Sequence, residues 1–150
     1  MFATGMIDDV LIANAYATDE ELNACAAVNP SILTFGIELE KELTDTERQI
    51  LDYEPKHVVR GDMSEYMIRS TCPRVTFADQ SIPAANTRDL KQGDVVILND
   101  GYLKYKGELH IVTKDMPNDG RKNVIGHLPE YEHVLLDYIE PWKVFAFRIV

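Results

Sequence analysis

Two short stretches of the sequence hold the side chains best suited to binding chemistry. In the first, two arginines and two hydroxyl side chains follow the apolar residues 66–68: Arg69, Ser70, Thr71 and Arg74. Guanidinium groups bind carboxylate or phosphate through paired hydrogen bonds, and hydroxyls add further donors. This pattern predicts contacts to an anionic ligand. The alternative is that the arginines pair with nearby acidic residues such as Asp62 and Glu65, as surface arginines often do.

The second stretch begins with the turn at residues 117–120, whose sequence is Pro-Asn-Asp-Gly. Proline presets φ, Asn and Asp side chains bond to their own backbone, and glycine accepts a positive φ. Arg121 and Asn123 follow at the start of an apolar run. We interpret Asn118 and Asp119 as turn formers, and we expect Arg121 and Asn123 to contact the same kind of anion.

Composition excludes several classes of function. The 150 residues carry a formal net charge of −10, which gives no general basic field for nucleic acid. No apolar run approaches the roughly 20 residues that span a bilayer, and the N-terminus has no secretory pattern. The two cysteines and four histidines lack metal-ligand spacing. We therefore expect a cytoplasmic protein without metal or cofactor, and with no nucleic-acid or membrane partner.

The N-terminal part reads as one strand, one loop and one helix. Residues 6–13 end in a continuous apolar run typical of a strand buried on both faces. Thr18 and Glu21 have the spacing of a capping box, which predicts a helix that ends before Pro30. A single βα unit cannot bury both faces of its strand, so residues 1–30 resemble a piece of a larger β/α structure.

The remainder, residues 31–150, has the pattern of short strands with glycine and Asn/Asp turns. A second capping box, Thr44 with Glu47, predicts a short helix over residues 44–51. The predicted strands cover residues 32–39, 66–69, 74–77, 94–98, 108–113, 123–128 and 144–150. This spacing predicts an antiparallel barrel or sandwich.

The longest motifs resemble a known family. The runs RGDMSEYMIRSTCPR, QGDVVILNDGYLKYKGELHI, KDMPNDGRKNVIG and LLDYIEPWKVF are similar to the C-terminal domain of the 6-phospho-N-acetylmuramidases, glycosidases formerly grouped as outer-surface proteins. The resemblance implies a mainly β fold, a cyclophilin-like antiparallel β-barrel. The run MIDDVLIANAYATDEEL resembles the last strand, loop and helix of the family's N-terminal β/α barrel. The rest of that barrel is absent from the sequence, so the resemblance also implies a truncated enzyme.

The resemblance further implies an activity: hydrolysis of 6-phosphorylated muramyl disaccharides in the cytoplasm, during cell-wall recycling. In a β/α barrel the chemistry lies at the C-terminal ends of several strands, and glycoside hydrolysis usually needs two carboxylates. Only one such strand end remains, near Asn14. We assign no catalytic residue and expect the isolated chain to be inactive. Asn14 is either a phosphate contact or a turn residue.

The domain's expected role is to cover the mouth of the missing barrel, its main partner, and to supply anion contacts to the phosphorylated amino sugar. The alternative is a structural module that packs on the barrel or self-associates without touching a ligand. A third possibility, a prolyl isomerase function suggested by the cyclophilin-like fold, rests on fold analogy alone. Convergence of Arg69, Arg74 and Arg121 in one cleft favours ligand binding, whereas arginines paired with carboxylates favour the structural role.

Overall fold

The computed structural model describes residues 4–13 and 16–150 and contains a seven-stranded sheet. The strands in chain order are β1 Leu33–Leu39, β2 His57–Val58, β3 Met67–Ser70, β4 Asp94–Leu98, β5 Leu109–Val112, β6 Lys122–His127 and β7 Val144–Ile149. The α-helices are α1 Asp19–Ala26, α2 Asp45–Leu51 and α3 Cys72–Thr76, and 3-10 segments cover Asp100–Tyr105 and Glu130–Asp137.

The sheet curls into a nearly closed barrel. Its strand order is β2-β7-β1-β6-β4-β5-β3, so β2 and β3 are the two edges. The edges meet where the backbone N–H of Arg60, just after β2, donates to the carbonyl of Arg69 in β3 at 2.9 Å. The prediction of a mainly β barrel is therefore confirmed.

One strand pair differs from the predicted antiparallel pattern. β1 and β7 run parallel, with Leu33 opposite Phe145, while the other paired strands are antiparallel. Short turns force antiparallel neighbours, but β1 and β7 lie at opposite ends of the sequence and no turn joins them. Their direction is set by packing across the closed barrel.

The barrel interior is filled by fully buried apolar side chains. They come mainly from the strands and include Phe35, Ile37, Ile68, Val95, Ile97, Leu109, Ile111, Ile125 and Phe145. Every residue of β4 and β5 is buried, and on their outer faces Val96 and Val112 pack with Leu90 and Val124 in a smaller apolar cluster. This second cluster explains why residues 95–98 read as a continuous apolar run.

Both predicted capping boxes form. In α1 the hydroxyl of Thr18 accepts the backbone N–H of Glu21 at 3.2 Å, and the Glu21 carboxylate accepts the backbone N–H of Thr18 at 2.8 Å. In α2 Thr44 and Glu47 make the same reciprocal bonds. Each pair satisfies backbone donors that a helix start leaves without an intrahelical partner.

Two predicted strands do not form. Residues 6–13 contain no strand, and Leu11 in that segment is 88 % exposed. A strand needs a neighbour for its backbone hydrogen bonds, and the barrel offers none to this segment. The predicted strand at residues 74–77 is replaced by α3, because Pro73 in its first turn has the fixed φ that suits a helix start.

Within the described ranges, no helix is both long and apolar enough to cross a bilayer. The division of the chain at residues 30 and 31 stays a prediction.

Candidate functional site

Two of the three predicted arginines, Arg69 and Arg74, meet at one rim of the barrel around a buried carboxylate, Glu108. Arg69 Nη2 donates to Glu108 Oε2 at 3.1 Å, and Arg74 Nη1 donates to Oε1 at 3.0 Å. Arg60 Nη1 lies 3.6 Å from Oε1, and the Thr71 hydroxyl donates to Oε1 at 3.1 Å. We call Arg60, Arg69 and Arg74, together with Glu108, the arginine cluster. Glu108 has no exposed surface, so it holds the three guanidinium groups from beneath.

Local electrostatics keep Glu108 ionised. Burial acts to raise its pKa, but the hydrogen bond from His110, and then the hydrogen bond and charge of Arg69, outweigh burial and hold the pKa at about 2. Burial lowers the pKa of His110, so near neutral pH its ring is uncharged and Nε2–H donates to Glu108 at 2.9 Å. The arginines therefore supply the positive charge that stabilises this carboxylate.

The arginine cluster retains one positive charge beyond its carboxylates. Asp62 is the second acidic partner, with Oδ1 2.6 Å from Arg60 Nε and Oδ2 3.7 Å from Arg69 Nη1. Three guanidinium groups thus face two carboxylates. Moreover, Arg69 Nε is buried and has no hydrogen-bond acceptor within the described part of the chain. An unsatisfied buried donor costs stability, so a cluster selected for stability alone would be expected to satisfy it.

Two tyrosines, Tyr102 and Tyr105, link the arginine cluster to Arg121. Both lie on the 3-10 segment after β4, and their rings are 5.6 Å apart in an edge-on arrangement. The Tyr105 ring centre is 5.8 Å from Arg69 Cζ and 5.2 Å from Arg74 Cζ, while Tyr102 is 4.3 Å from Arg121 Cζ. The end of β3 and the start of β6 therefore share one rim, as the antiparallel register requires.

Arg121 has its own acidic partner at that rim. Its Nε donates to Asp119 Oδ2 at 2.9 Å, and its side chain is 45 % exposed. The preceding turn forms as predicted: Asn118 Oδ1 accepts the backbone N–H of Gly120, whose φ is +81°. Arg121 thus extends the same basic and aromatic surface without entering the arginine cluster.

Two predicted site residues lie inside the protein. The hydroxyl of Ser70 is 2.9 Å from His57 Nδ1, and both side chains are buried. The amide of Asn123 is a buried hub that bonds to side chains or backbone of Glu47, Pro83, Ala85 and Asn99. Such satisfied, buried groups support the fold. Ligand contact by Ser70 and Asn123 stays a prediction without geometric support.

Asn14, the remaining candidate, lies outside the described residues.

Sequence reasoning missed the residues that organise the site. Glu108 and His110 alternate on one face of the β5 segment, and Arg69 pairs with His110 in the β3–β5 register. The alternation was visible in the sequence, but the register that brings Arg69 to this face was not. Arg60 was missed because the strand just before it, β2, has only two residues, His57–Val58, and was not predicted.

The opposite rim of the barrel has a cleft of about 790 Å³ lined by Glu38, Glu40, Arg88, Lys91, Gln92, Asp94, Asp115, His127, Leu128, Pro129, Glu130 and His133. Arg88 pairs there with Glu40 and also with Asp94, whose Oδ2 lies 2.7 Å from Nη1. In the described ranges no group of three or more His, Cys, Asp or Glu side chains is placed to hold a metal. Arg88, Glu40 and Asp94 thus form an ion-pair network at this cleft.

Comparison with known proteins identifies the family. The family model for the C-terminal domain of 6-phospho-N-acetylmuramidase matches residues 33–148. The chain belongs to this family. The match begins with the first residue of β1 and ends within β7, so it covers the whole barrel and the arginine cluster.

Two solved structures resemble this chain. A crystal structure of an uncharacterized Bacillus cereus protein is 43 % identical, with a TM-score of 0.89 over 98 % of this chain and 42 % of that chain. A conserved Enterococcus faecalis protein of unknown function is 23 % identical, with a TM-score of 0.63 over 77 % of this chain and 30 % of that one, and supports the fold alone. No curated protein matches. The chain thus spans less than half the length of its B. cereus relative.

Proposed function

We propose that this 6-phospho-N-acetylmuramidase C-terminal domain works within a cytoplasmic glycosidase that hydrolyses 6-phosphorylated muramyl disaccharides during cell-wall recycling. The observation that carries the proposal is the family match across the whole barrel. More than half of the B. cereus relative lies outside the matched part, since this chain covers 42 % of it. That additional length is where we place the catalytic carboxylates.

The domain's contribution is to bind the sugar's anionic groups through the arginine cluster. Arg69 and Arg74 side chains are 23 % and 24 % exposed, so part of each side chain reaches solvent. Glu108 and the Tyr105 ring fix their positions, which reduces the entropy lost when a ligand binds. The excess positive charge suits a phosphate or a lactyl carboxylate in a protein whose formal net charge is −10.

A structural role for the same arginines is the second candidate, and their ion pairs favour it. Arg69 and Arg74 bond to Glu108, and Arg121 bonds to Asp119. On this reading the domain packs against the rest of the enzyme without touching the sugar. The two candidates differ in one measurable respect: only ligand contact makes the effect of losing an arginine depend on the sugar's phosphate.

By itself, the 150-residue chain should not hydrolyse a 6-phosphorylated muramyl disaccharide. A glycosidase needs a carboxyl group with a raised pKa as its proton donor. The described carboxyl groups whose pKa departs clearly from the ordinary value instead have a lowered pKa: Glu40, Glu47, Glu65, Asp100, Glu108 and Asp119. Product release by the purified chain and by a longer family member would be measured side by side. Turnover by the chain alone, or none by the longer protein on this substrate, would contradict the proposal.

A further inference from the structure

The single tryptophan of the chain is exposed in an unusual backbone conformation. Trp142 has 72 % of its surface exposed and a φ of +70°. A positive φ is strained for a bulky residue, and such strain persists only where the surroundings impose it. Here two backbone hydrogen bonds to Val59 impose the conformation. The Val59 carbonyl accepts the N–H of Trp142 at 2.9 Å, and the Val59 N–H donates to the Lys143 carbonyl at 2.9 Å. The backbone of Trp142 is therefore held in place, while the residue itself is largely exposed.

Gly61 provides the surface on which the indole rests. A Cβ added at Gly61 would clash with the Trp142 ring at Cζ2 and Cε2, so the indole can lie this close to the backbone only because residue 61 is glycine. The indole thus lies close to the Gly61 backbone, while most of the Trp142 surface is exposed. A flat, fixed and exposed aromatic face is a surface on which another ring can stack.

This aromatic face adjoins the arginine cluster. Arg60 precedes Gly61, and its guanidinium group reaches both Asp62 at 2.6 Å and Glu108 at 3.6 Å. Its backbone N–H is bonded to Arg69 in β3. Residues 59–62 therefore include both Gly61, which contacts the indole, and Arg60, which belongs to the arginine cluster.

We infer that Trp142 and Arg60 form a binding site for a pyranose sugar that carries a phosphate or carboxylate. The apolar C–H face of the sugar ring stacks on the indole, and Arg60 binds the anionic substituent. The choice of an amino sugar as occupant rests on the proposed function. Stacking on the indole selects ligands with a flat apolar face, and the arginine distinguishes the charged sugar from its neutral analogue.

Because the chain has one tryptophan, its fluorescence reports on this site alone. Titration with N-acetylmuramic acid 6-phosphate should give a saturable change in emission, and inorganic phosphate at the same concentration should give none. Arg60→Ala should raise the Kd at least about tenfold, through loss of a charge-assisted contact. Arg148→Ala, which removes an exposed arginine near the far end of β7, is the matched control and should leave the Kd unchanged.

Calorimetry tests the ring itself. Trp142→Ala should weaken binding by about three- to tenfold, and Trp142→Phe should recover part of the loss, because a smaller aromatic face remains. Gly61→Ala, which displaces the indole without removing it, should weaken binding as Trp142→Ala does. Unchanged circular dichroism would show that each variant is folded.

Three outcomes would overturn the inference: an emission spectrum unchanged by the phosphosugar, an equal change with phosphate alone, or an emission shift that depends only on protein concentration. The last would mean that a second copy of the chain covers Trp142. The proposed function fails separately, if a longer family member does not hydrolyse the phosphorylated disaccharide. A sugar-dependent emission change would still support the site in that case.

Discussion

Replacing Glu108 with alanine should lower the free energy of unfolding by about 2–4 kcal/mol. The carboxylate has no exposed surface and binds Arg69, Arg74 and His110 directly. Its loss leaves three guanidinium groups repelling one another around an empty space. The expected loss of unfolding free energy lies toward the lower end of the usual range for a broken buried ion pair, because the arginines are partly exposed and solvent screens their charges.

Urea unfolding at neutral pH would measure this change. Glu65→Ala is the control, because Glu65 also pairs with a basic residue, Lys114 at 2.8 Å, but on the open surface. That variant should leave the unfolding midpoint unchanged, since exposed pairs contribute little. If Glu108→Ala were as stable as the parent protein, Glu108 would not be the residue that holds the arginine cluster together.

Acidification from pH 6.5 to pH 4 should remove about 3 kcal/mol of stability through His57 alone. Burial lowers the pKa of His57 from 6.5 to about 4. Its Nε2–H donates to the Leu51 carbonyl at 3.1 Å, and its Nδ1 accepts the Ser70 hydroxyl at 2.9 Å. The unfolded chain binds a proton near pH 6.5, whereas the folded protein binds it only near pH 4. The stability is thus complete above pH 6.5 and is lost as the pH falls toward 4.

His57→Gln isolates this effect, because glutamine can still donate to Leu51 but does not titrate. The variant should have a shallower dependence of unfolding free energy on pH between 6.5 and 4. Some dependence should remain, since burial lowers the pKa of His110 as well and contributes with the same sign. Equal slopes for the variant and the parent protein would show that His57 is not held neutral by the fold.

Local signals in the sequence predicted local structure well. The capping boxes Thr18–Glu21 and Thr44–Glu47 form because their donors and acceptors lie within one helical turn. The turn before Arg121 forms for the same reason. In contrast, residues 74–77 were misread as a strand, because Val75 and Thr76 are β-branched, whereas Pro73 just before them has the fixed φ that suits a helix start.

Contacts between residues that are far apart in the sequence could not be predicted from it. The parallel pairing of β1 with β7, and the approach of Glu108 to Arg69 and Arg74, depend on how the sheet closes. Strand register decides which side chains face each other, and no single strand specifies it. The arginines were therefore recognised as candidates, while the carboxylate that holds them was not.

The most direct test of an anion-binding role compares two substrates in a longer family member. Alanine would replace the arginines that match Arg69 and Arg74, and kcat/KM would be measured on the muramyl disaccharide with and without its 6-phosphate. Loss of one charge-assisted phosphate contact should lower kcat/KM about ten- to a hundredfold for the phosphorylated substrate, with a much smaller loss for the other. Equal losses on both substrates, or no loss on either, would contradict an anion-binding role and show that the arginines serve the fold.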